Sequence, residues 1–387
     1  MEINNITQGT NAILNAAGAP GARQYRGLDI FRTIAAFMVI AIHTAPLSVW
    51  SESADLIISY CVCRIAVPFF MMVTGYFTIA PYIRACMAGS EEERAAAGRA
   101  VTVFVKKCLI IYAAATLLYL PLNIYSGNLP RTVSGIIKDI LVDGTFYHLW
   151  YFPAVVFGTL LIAAAARLRI KPGIMLAGAS ILYIFGVFGD SWYGASEKID
   201  LVKLLYDGVF TVSSCTRNGL FFAPIFLLLG TLCAEIKAPA SLCRAGLRVC
   251  FPIMLIEGFI TYFAGWQRHN SMYLMLPLVM FFLFKLLLGA KGEGNATVRN
   301  WTTLIYVIHP AALVCVRWAA GAAGLENVFI ENTFIEFITV SLLSLTASAA
   351  VDILWRRFRP ALKSGSIIKM KGEDDHVSKG TSMDRDR

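Results

Sequence analysis

Long apolar stretches, each of about 17 to 22 residues, recur along this chain of 387 residues and alternate with short polar segments. A helix needs about 20 mainly apolar residues to cross the hydrocarbon core of a bilayer. Because backbone groups cannot stay unpaired in lipid, such stretches must be helical. The pattern predicts an all-α polytopic membrane protein with about ten transmembrane helices. The predicted spans are 28–49, 56–78, 104–122, 148–166, 173–189, 214–234, 247–264, 272–289, 301–318 and 333–355.

The composition agrees with a membrane protein. Hydrophobic residues make up 57% of the chain and charged residues only 15%, with a mean hydropathy of +0.63. In soluble domains about a quarter of the residues are charged, so a soluble fold is excluded. The net charge of +9 is spread over short loops and one tail, which argues against nucleic-acid binding. The nine cysteines lie mostly in apolar stretches, so we expect buried thiols and no metal site.

The positions of Lys and Arg predict the orientation, since these residues are retained on the cytoplasmic side. With the N-terminus inside, 26 of the 34 basic residues fall in inner segments. We therefore predict that both termini are cytoplasmic and that the protein resides in the cytoplasmic (inner) membrane. The chain divides into a disordered cytoplasmic lead-in over 1–24, a membrane domain over 25–358 and a charged cytoplasmic tail over 359–387.

Two outer segments have less defined patterns. The segment 123–147 is long enough to include a short amphipathic helix. The segment 190–213, with the sequences GDSWYG and LLYDGVF, fits either a structured outer loop or a re-entrant segment.

A cation and a titratable base share one face of the first predicted helix. Arg32 and His43 are eleven residues apart, which is three turns plus about 20°, and about 16 Å along the helix axis. Arg32 is expected near the inner headgroups and His43 in the outer half of the membrane. An alternative is that Arg32 only sets the topology, and that His43 only bonds a neighbouring helix. Charges inside a bilayer are costly, which favours a function for both.

The second predicted helix holds a further cation in the sequence RIAVPFFMMVTGYF. Arg64 cannot shed its charge, so it needs a polar environment within the membrane. Pro68 frees a backbone carbonyl that can line a cavity, and Gly75 permits close helix approach. Mere packing is the alternative for the proline and the glycine.

Other polar side chains are predicted to converge toward the outer half of the membrane. Taken singly, the local pattern favours His148 as an anchor at the membrane interface and His309 as a hydrogen-bonded core histidine. Glu257 lies in an apolar helix and needs a cationic partner or a proton. The candidates for a substrate site are His148, Trp150, Arg217, Asn218 and His309, with Glu257 as a candidate functional acid.

These motifs resemble acyltransferase family 3, a family of integral membrane acyltransferases. The family's first-helix pattern, Arg followed by ten residues and then His, matches Arg32 and His43. Its second-helix pattern corresponds to Arg64, Pro68, Phe70, Thr74, Gly75 and Tyr76. Its late Ile-Tyr-x-x-His element is similar to Ile305, Tyr306 and His309, although here Pro310 follows the histidine directly. The resemblance covers about residues 25–358.

Within that family, the sequences YHLWYFPA, GDSWYG and TRNGLFFAPIFLLLG resemble the membrane half of vancomycin-resistance serine racemases of the VanT type. Those proteins carry a C-terminal racemase domain that uses pyridoxal phosphate (PLP). Only about 30 residues follow the last predicted helix, so we expect neither PLP nor racemase activity in this polypeptide.

The resemblance implies transfer of an acyl group, for example acetyl, from cytoplasmic acyl-CoA to an extracytoplasmic hydroxyl or amine. His43 would be the general base, and Glu257 would orient the acceptor or the imidazolium. Arg64 would hold a CoA phosphate or stabilise charge at the thioester carbonyl. The remaining cations expected to bind acyl-CoA are Arg32, Lys106 and Lys107. The two lysines depart from the family's Arg-rich third helix and lack a bidentate fork.

A different function is a permease that supplies L-serine to a separate racemase, with Arg217 and Glu257 meeting the amino acid. Broken transporter helices usually occur in matching positions of two halves, and no such symmetry is present here. A third alternative is a scaffold without chemistry. The expected partners are the lipid bilayer, an envelope or small-molecule acceptor and a possible separate racemase, with no nucleic acid.

Overall fold

The computed structural model describes residues 25–290 and 292–380, with side chains described as far as Arg357. The lead-in over 1–24 lies outside the described residues. All regular elements in the described ranges are helical. The segment from 359 onward continues the last helix as far as Gly380.

Ten apolar helices of the described residues, labelled α1 to α10, overlap the ten predicted spans. They are α1 Arg26–Thr44, α2 Glu52–Ala88, α3 Glu91–Tyr125, α4 Tyr151–Arg167, α5 Pro172–Phe188, α6 Ala223–Glu235, α7 Ala240–Phe263, α8 Leu276–Leu288, α9 Ala296–Ala323 and α10 Thr333–Gly380. Six of them (α1, α2, α3, α7, α9 and α10) are long and apolar enough to cross a membrane. The other four are apolar helices of 10–17 residues. The chain is therefore an all-helical, multi-pass membrane protein.

Helix α1 ends five residues earlier than its predicted span. The next residue, Ala45, has a φ of 47°, in the left-handed region, and its N–H donates to the carbonyl of Ala41. Pro46 follows and cannot continue a helix. His43 therefore lies in the last turn of α1 rather than deep within a longer helix.

Helix α6 begins at Ala223, although hydropathy predicted a span from 214. The amide oxygen of Asn218 accepts hydrogen bonds from the N–H groups of Leu220 and Phe221 at 3.0 and 3.1 Å. These bonds hold the segment as an irregular loop until Pro224 opens the helix. Arg217 and Asn218 thus lie in a loop before α6 and not on the helix itself.

The two segments with less defined patterns, 123–147 and 190–213, are both structured. The first contains the helix Val133–Lys138, which continues as one wider π turn over Asp139–Asp143. The second contains a single turn, Tyr193–Ser196, and the amphipathic helix Asp200–Val212. Asp143 accepts hydrogen bonds from the hydroxyl of Ser213 and the N–H of Ser214, at 3.1 and 2.9 Å. The two segments are therefore tied together at one end of the bundle.

The short helix α6 forms the centre of the bundle and is buried on nearly all sides. Its crossing with α2 is close because a glycine on each helix faces backbone of the other. A Cβ on Gly75 would lie 2.0 Å from the carbonyl oxygen of Leu227, and one on Gly230 would lie 2.2 Å from that of Met72. Only residues without a side chain fit at this crossing.

Helix α2 departs from regular geometry on both sides of Arg64. It has wide π turns over Leu56–Cys61 and Gly75–Ile79, and a tight 3₁₀ turn over Val62–Ile65. Pro68 has no N–H, so the carbonyl of Arg64 lacks its usual helical donor. The irregular turns bring Tyr60 and Arg64 to the same space beside α1.

Candidate functional site

A cavity of about 310 Å³ lies at the end of the bundle where α1 terminates. Helices α1, α2 and α9 form its walls together with the loops that precede α4, α6 and α8. Five of the side chains singled out from the sequence line it, namely His43, Arg64, His148, Trp150 and Arg217. These residues come from four separate parts of the chain, so the fold brings them together.

His43 faces the cavity from the last turn of α1. Its ring contacts the ring of Tyr147 edge-on, with centroids 4.7 Å apart, and stacks on that of His309 with centroids 5.4 Å apart. Within the described part of the chain, no hydrogen bond engages the side chain of His43. An imidazole with free nitrogens at a cavity wall is placed to accept a proton from a bound molecule.

His309 does not line the cavity and supports His43 from behind. Pro310 removes a helical N–H, which leaves the carbonyl of Tyr306 without its usual donor. The His309 Nδ1 lies 2.9 Å from that carbonyl oxygen and 3.2 Å from that of Ile305. Because carbonyls only accept, Nδ1 carries the proton. Nε2 is left with its lone pair and has no hydrogen-bond partner.

A tyrosine hydroxyl replaces a backbone hydrogen bond that is missing from α9 next to the proline. Tyr119 of α3 donates to the carbonyl of Val307 at 2.5 Å and accepts from the N–H of Ala311 at 3.2 Å. It thereby bridges two groups that would bond directly in a regular helix. This bridge fixes the bent part of α9 that carries His309.

His148 is 2% exposed, and neither ring nitrogen has a hydrogen-bond partner. Its ring lies edge-on to that of His309, with centroids 5.3 Å apart. Three imidazoles are thus grouped together, of which His43 and His148 line the cavity and His309 lies behind them. His148 is held in place through its backbone, because the hydroxyl of Tyr306 donates to its carbonyl oxygen.

Two arginines supply the positive charge of the cavity. Arg64 donates a hydrogen bond to the side-chain oxygen of Asn270, and Arg217 donates to the hydroxyl of Ser271 at 3.1 Å. The guanidinium of Arg217 also lies 4.4 Å from the centre of the Trp150 ring, within cation–π distance.

The loop that carries Asn270 and Ser271 is anchored by a buried acid. The Oδ1 of Asp190 accepts from the N–H groups of Ser271 and Met272 at 2.8 and 3.0 Å. Burial raises the pKa of Asp190 to about 6, although these hydrogen bonds and the charge of Arg217 lower it. On the same loop, partial burial and then the charge of Arg217 lower the pKa of His269 to about 4.

Two predicted site residues lie away from the cavity. Glu257 accepts hydrogen bonds from the Trp192 ring at 2.9 Å and from the N–H groups of Leu274 and Met275 at 2.7 and 3.2 Å. Its partners are therefore the indole of Trp192 and two backbone amides just before α8, where an anion suits the helix N-terminus. Asn218 shapes the loop before α6, as described above.

The other cations predicted to bind acyl-CoA lie elsewhere in the bundle. Arg32 pairs with Asp29 at 2.6 Å, and Arg299 pairs with the other oxygen of Asp29 at 2.8 Å. This cluster joins α1 to α9 at the opposite end of α1 from His43. Lys106 and Lys107 are exposed on α3 and do not line the cavity.

Six polar side chains that line the cavity were not predicted as site residues from the sequence, namely Tyr60, Tyr147, His269, Asn270, Ser271 and Tyr306, the last of which was named only within the family motif. Two of them had a usable signal: Tyr60 is four residues before Arg64, and Tyr306 is three before His309, which places each pair on one helix face. The loop residues had none, because their position depends on a contact with Asp190.

The amino-acid sequence matches a known family. The Acyltransferase domain family matches residues 25–353, so the chain belongs to acyltransferase family 3. Among curated relatives, an amino-acid racemase of Enterococcus faecalis is 34% identical over 344 residues, which are 87% of this chain and 46% of that protein. A serine/alanine racemase of Enterococcus gallinarum is 34% identical over 328 residues, 83% of this chain and 45% of that protein.

The chain thus spans about half the length of the curated relatives that it matches. This coverage agrees with a likeness to the membrane part of VanT-type racemases. No solved structure matches the chain.

Proposed function

We propose that the protein is a membrane acyltransferase that moves an acyl group, most simply acetyl, from cytoplasmic acyl-CoA to a hydroxyl or amine acceptor. The observation that carries this proposal is the placement of His43, with free ring nitrogens, at a cavity lined by Arg64 in a chain of acyltransferase family 3. The acceptor enters this cavity from the extracytoplasmic side of the inner membrane.

The chemistry follows from these two side chains. His43 takes the proton from the acceptor hydroxyl or amine, whose oxygen or nitrogen then attacks the thioester carbonyl carbon. Arg64 donates to the oxyanion that develops on the carbonyl oxygen. The carbon–sulfur bond then breaks, and the CoA thiolate receives the proton from the His43 imidazolium. The stacked ring of His309 and the anchored segment around His148 hold the base in position.

The topology proposed with this function has ten membrane crossings and both termini in the cytoplasm. In that orientation α1 carries Arg32 at the cytoplasmic end and His43 at the outer end. Arg32, Lys106 and Lys107 would contact the phosphates of the donor, and its acyl end would extend toward the cavity. Glu257 would act as a positioning residue that holds the start of α8.

The test measures release of the CoA thiol from acetyl-CoA by purified protein, with a panel of hydroxyl and amine acceptors. Loss of a general base typically costs about 100-fold or more in rate, so we expect His43→Ala to lose at least that factor. His376→Ala, in the charged tail, is the matched control and should keep wild-type activity. A His43→Ala protein that folds and remains fully active would refute the proposed base.

A second candidate function is a permease that admits L-serine. It is favoured by one observation, the 34% identity to a serine/alanine racemase. Arg217 lines the cavity and is available for the serine carboxylate, whereas Glu257 is occupied by backbone amides. Uptake of labelled L-serine into vesicles without any acyl-CoA would support the permease, and its absence together with His43-dependent transfer would support the enzyme.

A further inference from the structure

The cavity holds two positive charges that the described residues do not neutralise. Neither Arg64 nor Arg217 forms an ion pair with an acid among the residues that the structure describes. A guanidinium has five N–H donors, and each of these two spends only one on a side chain of the 270–271 loop. The Nε of each arginine is buried without a hydrogen-bond partner. Several donors therefore remain available at each guanidinium.

The surroundings do not supply the missing negative charge. No Asp or Glu is among the described residues that line the cavity. One buried acid acts electrostatically on both arginines, namely Asp190, whose Oδ1 is occupied by the N–H groups of Ser271 and Met272. The rings of Tyr60 and Trp150 face the guanidiniums, but a cation–π contact compensates less than an ion pair does.

Arginines elsewhere in the described residues do contact acids. Arg32 and Arg299 share Asp29, and Arg317 pairs with Glu336 at 2.6 Å. Among the half-buried arginines of the described residues, Arg32, Arg94 and Arg299 each contact a carboxylate, whereas Arg64 and Arg217 at the cavity do not. Buried charge without a counter-ion is unfavourable, so an unpaired pair of arginines at a cavity indicates a site for an anion.

The size of the cavity restricts the anion to a small molecule. Sites for drug-sized ligands occupy about 300 to 1,000 Å³, and this cavity of about 310 Å³ lies at the lower limit. It accommodates a molecule of about the size of an amino acid and not the nucleotide part of CoA.

We infer that the small molecule bound in this cavity carries a carboxylate or phosphate group, which Arg64 and Arg217 hold together. Guanidinium groups match the oxygens of either anion through paired N–H donors. The inference rests on the proposed function and deepens it, because it assigns the anionic end of the acceptor to Arg217 and to the Arg64 N–H groups that do not donate to the oxyanion. The hydroxyl or amine of the same molecule is then left to face His43.

The test measures thermal unfolding of the purified full-length chain in detergent without acyl-CoA. The probes are L-serine, inorganic phosphate, the neutral-carboxamide analogue L-serine amide, and sodium chloride at matched ionic strength. We expect L-serine or phosphate to raise the unfolding temperature in a saturable way, while L-serine amide and chloride do not. A response to L-serine alone identifies a carboxylate site, and a response to phosphate alone identifies a phosphate site.

Variants assign the effect to the arginines. Arg217→Gln should weaken the apparent affinity at least tenfold, and Arg217→Lys should retain part of it if the glutamine variant does not fold. Arg131→Gln, at an exposed loop position, is the matched control and should bind as the wild type does. The inference is wrong if no anion stabilises the protein more than chloride, or if L-serine amide stabilises it as well as L-serine.

Because the binding test contains no acyl-CoA, its result does not depend on whether the protein catalyses acyl transfer. Anion binding that depends on Arg217 without any acyl transfer would leave the inference standing and remove the proposed activity. Acyl transfer that depends on His43, without any anion binding, would support the proposed activity and refute the inference.

Discussion

At the scale of single residues, Asp190 determines how the cavity is built. It is fully buried in the turn after α5, and its Oδ1 holds the backbone of a loop some 80 residues further along the chain. That loop presents Asn270 and Ser271 to the two arginines. A carboxylate in this position combines a structural role with a high pKa, because burial disfavours its charged form.

Asp190→Asn should alter the pH dependence of stability in a defined direction. The folded protein binds a proton at Asp190 below a pKa of about 6, whereas the unfolded chain does so only below 3.8. Between these values the folded state holds more protons, so this residue stabilises the protein as the pH falls. The gain from pH 6 to pH 4 is on the order of 2 kcal/mol. Asparagine keeps the acceptor oxygen and removes the titration.

The measurement compares unfolding temperatures of wild type and Asp190→Asn in detergent between pH 7 and pH 4. As the pH falls, the unfolding temperature of the wild type should rise relative to that of the variant. Other titrating groups affect both proteins alike and cancel in this comparison. Two parallel curves would show that Asp190 does not titrate in this range.

The residues that the sequence identified share a local signal, and those that it missed depend on distant contacts. Arg64 and Arg217 stand out because a permanent charge is rare among apolar residues. Glu257 stood out for the same reason, but its partners are backbone amides from a different loop, which no spacing along its own helix reveals. Asn270 and Ser271 are ordinary loop residues until Asp190 fixes their backbone.

At the scale of helices, the crossing of α2 with the central helix α6 depends on two glycines. Gly75→Ala and Gly230→Ala each place a methyl group about 2 Å from a carbonyl oxygen of the other helix, which neither backbone can easily avoid. We expect each variant to lose about 1 to 3 kcal/mol of stability, as overpacked sites do. The readout is the thermal unfolding temperature in detergent.

Gly178→Ala in α5 is the matched control, because no atom lies within 4 Å of the added methyl group. It should be neutral or stabilising by up to about 1 kcal/mol, since alanine favours helix more than glycine does. If all three variants behaved alike, close approach at the α2–α6 crossing would not be a source of stability.

Hydropathy located every long helix but not every helix end. It extended the sixth and eighth spans into residues that belong to irregular loops, at 214–222 and 272–275. These loops stay irregular because side chains such as Asn218 and Glu257 bond their backbone N–H groups. The same loops form the cavity, so the errors of the helix prediction fall where the candidate site lies.

At the scale of the whole molecule, the proposed function depends on which side of the membrane the cavity faces. Trp50, Tyr125 and Leu168 are 65%, 92% and 76% exposed at loops or helix ends. The proposed orientation places the first two outside and the third inside. Single cysteines at these positions report it, in a background where the two least buried native thiols, Cys250 and Cys315, are replaced by serine.

In intact cells, a membrane-impermeant maleimide should label Trp50→Cys and Tyr125→Cys but not Leu168→Cys. Permeabilised cells should allow labelling at all three positions, which controls for reactivity. The opposite pattern would place His43 and the arginines on the cytoplasmic side, together with the pool of acyl-CoA. An acceptor would then have to be cytoplasmic as well, and transfer across the membrane would no longer follow from the position of His43 at the outer end of α1.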